Sequence, residues 1–236
     1  MTTSKAFTTS IIGLISILNS SSFVPLTKNA FHTPSSIYSK NDDIPQQQAF
    51  ADGTILEFSE KSRVHVGRII SSEHKSNGGA RYEIMDHDGK KFSIADKAVS
   101  YSVSAPNNEP AAVRLFDAFY SAHEESESEL RTDLDISPEM LELAWEEAAS
   151  DLTFEDHVLT PNALIDLVHS KAASAVDAYK AWRLLKTDIA HVFFKEMKEK
   201  GRVVGFKAKP LKAVEAAKTT FCRSEHAADD LDFCLV

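Results

Sequence analysis

The sequence predicts an α+β chain in which a small five-stranded β-barrel is followed by a winged helix-turn-helix domain. Three observations predict it. Apolar residues alternate with period two from residue 53 to residue 103, three capped amphipathic segments follow, and two Val/Phe-rich runs close the series. The 236 residues leave room for one medium or two small domains. With 43% hydrophobic and 26% charged residues the composition is globular, which excludes collagen-like, disordered and disulfide-scaffold classes. Cys222 and Cys234 both lie in the last fifteen residues, where a crosslink would staple nothing of the fold, so they are expected as free thiols.

Residues 1–50 read as an address rather than a folding segment. No Asp or Glu occurs before Asp42, and Thr2 to Ser39 is rich in Ser and Thr. The apolar run Ile11 to Leu18 covers eight residues, far short of the roughly 20 a membrane-spanning helix needs but right for a signal-peptide core. A small residue followed by Phe, in a signal peptide joined to a Ser-rich, acid-poor tail, resembles the two-part plastid presequence of algae with complex plastids. Ser22/Phe23 is the first candidate cleavage point and Ala30/Phe31 the second. Plain secretion with a disordered pro-segment is the alternative. Neither reading puts the mature chain in a membrane.

Over residues 53–103, Leu56 and Phe58, Val64 and Val66, Tyr82 and Ile84, Phe92 and Ile94, and Val99, Tyr101 and Val103 occupy alternate positions, which implies five short strands. The apolar parity changes across Gly67, from Val64/Val66 to Ile69, as a glycine bulge would make it do at a barrel corner, and a closed or nearly closed sheet follows. Fifty residues suit a barrel of the Src-homology-3 kind better than a full cold-shock barrel. Asn77-Gly78-Gly79 and Asp88-Gly89 mark turns, the second a hairpin signal. Asp86-His87-Asp88 carries metal-competent side chains, yet a hairpin turn explains the triplet more simply, and no metal or cofactor is expected.

Residues 104–135 read as an acidic linker, with a short helix over Val113 to Tyr120 and a solvated charged run from Glu124 to Glu129. Pro106 and Pro110 close the barrel before it. The winged helix-turn-helix is expected over 136–212. Its helix starts are Ser137-Pro138, Thr160-Pro161, and Ser174 with Asp177 three residues on. The buried stripes are Leu141, Ala144, Trp145 and Ala148; then Leu164, Leu167 and Val168; then Ala178, Ala181, Trp182, Leu185 and Ile189. Both tryptophans are therefore core residues. His191 to Met197 and Arg202 to Lys207 are β-rich and joined by Lys198-Glu199-Lys200-Gly201, which makes the wing. Residues 213–236 are left as a helix-like segment from Leu211 to Phe221 and a disordered acidic tail containing Asp229, Asp230 and Asp232. His123, His157, His169 and His191 show no ligand spacing and are read as helix-end or surface histidines.

Charge decides what this unit could do. The formal net charge is −9, which argues against nucleic acid unless the charge is unevenly placed. Leu115 to Ser170 holds fifteen acidic residues and only Arg131 as a base, net −14, whereas Lys180 to Lys212 holds ten basic and three acidic residues, net +7. At 100° per residue, Lys180, Arg183 and Thr187 lie opposite the buried stripe, where a recognition helix presents its contacts, with Lys186 beside them. Lys195, Lys198, Lys200, Arg202, Lys207 and Lys209 line or flank the wing. These ten residues are the candidate nucleic-acid contacts, and they would give salt-dependent, largely sequence-independent binding. The competing reading is a protein-interaction module that engages a partner through the acidic helices or the barrel.

Ile55-Leu56-Glu57-Phe58, Asp88-Gly89-Lys90-Lys91-Phe92-Ser93-Ile94 and Tyr101 resemble the N-terminal region of plastid and cyanobacterial ribonuclease II-type exoribonucleases. Leu141-Glu142-Leu143-Ala144-Trp145-Glu146-Glu147 is similar to the first helix of that family's winged-helix region. Ala178 to Asp188, followed by Val192-Phe193-Phe194-Lys195, is similar to its third helix and the start of its wing. The resemblance covers residues 53–218 and implies a module that helps guide single-stranded RNA toward a magnesium-dependent catalytic domain. Too few residues follow Phe221 to build such a domain, so the chain is expected to be either a free-standing RNA-binding helper or a shortened form of a longer nuclease. Catalysis by the chain itself has no positive support, since no Ser-His-Asp arrangement, phosphate-cradling glycine loop or zinc spacing occurs.

Overall fold

A computed structural model describes residues 49–75, 79–150, 158–199, 202–225, 227 and 230–235. The expected presequence up to residue 48, the Asn77-Gly78 turn, His157, Lys200 and Asp229 lie outside the described residues.

Five antiparallel strands, β1 (Ile55–Glu60), β2 (Arg63–His74), β3 (Ala80–Asp86), β4 (Lys91–Ala95) and β5 (Val99–Val103), form one sheet in the order β4-β3-β2-β1-β5. The hairpin at Asp88-Gly89 is present: Gly89 adopts φ +78°, which a residue with Cβ rarely does, and the Lys90 amide donates to Asp86 Oδ1 at 2.8 Å. The sheet is not closed. β4 and β5 are its outer strands, and a single 3-10 turn, Asp96–Ala98, bridges the gap between them in place of a ladder. The short β4 runs straight into that turn, which Tyr82 holds from inside by donating its hydroxyl to Asp96 at 2.9 Å.

Both faces of the sheet are partly buried, and this corrects the expectation of a bulge at Gly67. Leu56, Phe58, Ile69, Tyr82, Ile84, Phe92 and Ile94 fill the concave side, while Ile55 and Val66 belong to a second core shared with the helices. The change of parity between Val66 and Ile69 is therefore a change of face, with regular pairing from Ile55↔Arg68 to Glu60↔Arg63. The register shift lies further on, between Ile69 and Ser71. Gly67 is required for another reason: a Cβ there would stand 2.4 Å from Ile84 Cγ2 and 2.9 Å from the Met85 carbonyl oxygen.

Helix α1 (Glu109–Glu124) is twice the expected length, capped by Asn108, with Pro110 in its first turn rather than closing the barrel. The linker expected after it is helical too. α2 (Glu127–Leu134) begins at a capping box in which Ser126 and Glu129 satisfy each other's backbone amides, and it buries Leu130 and Leu134. Helices α3 (Pro138–Ser150), α4 (Pro161–His169) and α5 (Ala175–Leu184) start where their caps predict. Trp145 and Trp182 are buried, as their stripes require.

The third helix stops sooner than its stripe suggests. Thr187 folds its hydroxyl onto the Leu184 carbonyl at 2.8 Å and starts a separate short helix, α6 (Asp188–Phe193). The first half of the run read as β is thus helical, and the wing begins at Phe194. It consists of β6 (Phe194–Glu199) and β7 (Arg202–Ala208), and β7 also bridges to Leu159 through Phe206.

Helix α7 (Leu211–Phe221) lies where expected, but the tail after it is not free. Cys222 and Cys234 form a disulfide, correcting the free-thiol reading, which ties the C-cap of α7 to the last residue of the short helix α8 (Leu231–Cys234). Phe233 is 2% exposed and packs edge-on against Phe193 and Phe221. Asp230 is 8% exposed and accepts from Arg131 at 2.5 Å. The tail was legible as acidic; Phe233 and the Cys222–Cys234 disulfide fasten it to the fold.

Candidate nucleic-acid interface

The arrangement starts from the outer face of α5, which the covered linker closes off. α1 and α2 both pack on α5, so the side chains expected to face a ligand face carboxylates instead. Lys180 lies 2.5 Å from Asp133 Oδ2 and 2.7 Å from Glu125 Oε1, with its side chain 12% exposed. Burial works against its charge, but those hydrogen bonds outweigh it and hold its pKa above the ordinary lysine value. Arg183 donates to the carbonyls of Ala122 and Glu125 at the end of α1, the second at 3.0 Å. Thr187 is taken up by the start of α6.

Lys186 points the other way, into the junction between helices and sheet. Its Nζ lies 3.2 Å from Glu57 Oε1 and 5.2 Å from the centre of the Trp182 ring. Glu57 is the node of that junction. It sits on β1 with 3% exposure and accepts from Ser100 Oγ at 2.5 Å, Tyr179 at 2.9 Å and Trp182 Nε1 at 3.3 Å. Burial would push its pKa up; Lys186 and the three hydrogen bonds reverse this and hold it below the usual carboxylate range. Tyr179 also meets His123 Nδ1 at 3.1 Å, and burial lowers the pKa of that imidazole. His169 Nε2 meets the Leu134 carbonyl at 2.7 Å, so two of the four histidines have helix-end structural roles.

Glu57 was not expected as a node from the sequence. The signal was there: a carboxylate at a strand centre, flanked by apolar residues on both sides, in a chain whose helices carry Tyr, Trp and Lys at one spacing.

The wing keeps exposed charge. Phe194 and Phe206 turn inward, which leaves Lys195 and its cross-strand partner Lys207 on the outer face, both exposed. Lys198 pairs with Glu196 at 2.7 Å and stays 56% exposed, the kind of rim pair worth only about 0–1 kcal/mol. Arg202 is engaged: it lies 2.5 Å from Asp96 Oδ2 and also donates to the Asp96 carbonyl, tying the wing to the 3-10 turn. Lys209 donates to the His191 carbonyl, and burial lowers its pKa. Of the ten expected contacts, the structure brings Lys195, Lys198 and Lys207 together on one hairpin and turns Lys180, Arg183, Lys186, Arg202 and Lys209 onto internal acceptors. Among the described residues no group of His, Cys, Asp and Glu is placed to hold a metal, and Asp86-His87-Asp88 forms the turn, with His87 stacked on Tyr120 at 4.3 Å. No helix among them is long and apolar enough to cross a membrane.

Three or more helices followed by a β-hairpin whose strand also pairs with a preceding segment define a winged-helix domain. Residues 128–213 match the family model described as the ribonuclease II winged helix domain, so this part of the chain is ribonuclease II-like. The match begins inside α2, which places that helix with the domain it covers rather than in a linker. No curated protein and no solved structure matches the chain.

Proposed function

We propose that the chain binds single-stranded RNA as a non-catalytic module related to the N-terminal region of ribonuclease II-type exoribonucleases, with the wing as its phosphate contact. The observation that carries this reading is the coincidence of the ribonuclease II-like winged helix with a hairpin that keeps Lys195, Lys198 and Lys207 exposed in an otherwise acidic molecule. Ammonium groups exposed on one hairpin can neutralise phosphates without reading base identity. The plastid address belongs to the proposal as well, on the strength of the acid-free, Ser-rich first forty residues. A fluorescent fusion of residues 1–50 tests that part.

Fluorescence anisotropy of the purified full chain with a labelled single-stranded RNA and with duplex DNA of equal charge tests the main reading. Tighter binding of the RNA supports it. Equal or tighter binding of the duplex identifies a DNA-binding winged helix instead. A second reading has one specific observation behind it. Leu143 is 63% exposed beside Glu146, Glu147, Leu167 and Val168 in a groove between α3 and α4, as a surface for a basic amphipathic partner would be. Stoichiometric co-purification of a protein with no RNA retained favours that one.

A further inference from the structure

The cleft at the foot of the wing differs from the rest of the surface. It measures about 730 Å3 and lies between β5 and the start of β7, lined by Phe50, Lys97, Tyr101, Trp182, Val203 and Val204. β5 is an outer strand, so one edge of its backbone has no strand partner. Free strand edges attract either another strand or a ligand with polar edges of its own.

The lining decides between these. Phe50, Tyr101 and Trp182 bring three aromatic side chains to the cleft, surfaces on which a flat ring can pack.

Charge points the same way. On the cleft wall Arg202 and Asp96 neutralise each other at 2.5 Å. Exposed Lys97 and Glu199 carry opposite signs on its walls. Such a space suits a neutral planar ring and not a phosphate. The Arg202 guanidinium lies 5.9 Å from the centre of the Phe50 ring, so a cation and an aromatic face already meet on the wall. The phosphate site is next door: Val203 on the cleft wall is the cross-strand partner of Lys198.

We propose that this cleft receives one unstacked base of single-stranded RNA while the adjoining phosphates lie on the wing lysines. The inference rests on the RNA-binding reading and adds to it a base-sized subsite built from the sheet edge. It gives the five-stranded sheet a role in binding, because Phe50, Lys97 and Tyr101 all belong to the sheet side of the cleft.

The test uses the full chain, a labelled oligouridylate and an abasic ribose-phosphate strand of the same length. The base-bearing strand is expected to bind about tenfold more tightly, the effect of one stacked base. Phe50→Ala, which removes the ring, and Ser102→Trp, which fills the space, are both charge-neutral and should each abolish the difference without weakening abasic binding. If Ser102→Trp does not fold, Phe50→Ala decides alone. Equal affinity of the unaltered protein for the two strands, or a preference that survives Phe50→Ala, overturns the subsite while leaving RNA binding by the wing intact. Failure of both strands to bind at low salt overturns the RNA reading itself.

Discussion

Glu57 shows how one residue can join two halves of a molecule. Strand alternation puts Leu56 and Phe58 into the concave side of the sheet, so Glu57 must point to the other side, which the helices cover. A carboxylate there is stable only because Ser100, Tyr179, Trp182 and Lys186 all meet it. Replacing Glu57 by Ala leaves those donors facing an apolar gap and is expected to destabilise the fold by about 3–5 kcal/mol, read from the midpoint of chemical denaturation. The pH dependence has a definite sign. Because the folded-state pKa of Glu57 is lowered, its contribution is complete above the ordinary carboxylate pKa and is lost as pH falls through the folded value. Glu57→Gln should therefore flatten the acid limb of the stability curve, while a limb of unchanged steepness would assign acid sensitivity to other carboxylates.

At the scale of elements, the features legible in the sequence are those with local signals. Five alternating runs became five strands, and Thr160 and Ser174 each cap the helix they announce. Ser137 likewise receives the Met140 amide at 3.3 Å. α2 differs from the expected linker because a run of Glu and Ser resembles a solvated segment, yet Ser126 and Glu129 spell a capping box and Leu130 and Leu134 share a face. Its consequence is large, since α2 covers the face of α5 on which Lys180 and Arg183 were expected to meet a ligand. The disulfide was illegible for a different reason: Cys222 and Cys234 are brought together by Phe233 entering a core made by α6 and α7, which is a tertiary event. Replacing both cysteines by Ser should cost about 2–3 kcal/mol and free the last residues to hydrogen exchange before the rest of the fold opens. Global unfolding with no earlier release of the tail would show that Phe233 and the Arg131–Asp230 pair suffice to hold it.

Across the whole molecule, an acidic protein keeps its positive charge in two states. One set of cations, Lys180, Arg183, Lys186 and Arg202, is consumed internally and holds α1, α2, the sheet and the wing in place. The other, Lys195, Lys198 and Lys207, is exposed on the wing hairpin, with Lys198 beside Glu196 at 2.7 Å. The +7 of residues 180–212 was legible in the sequence as a charge imbalance, but its division between structure and surface was not, because the carboxylates and carbonyls that claim the first set lie 47 to 129 residues away along the chain. The long-range pairing narrows the proposed interface from a helix-plus-wing ridge to the wing. The dependence of single-stranded RNA affinity on salt tests this most directly. With three lysines neutralising phosphates, the slope of log K against log salt should be about −2. Lys195→Gln, Lys198→Gln and Lys207→Gln together should bring it close to zero, whereas Lys180→Met should leave it unchanged in protein that remains folded. A triple variant that keeps the full slope, or a slope that collapses with Lys180→Met alone, would contradict the account.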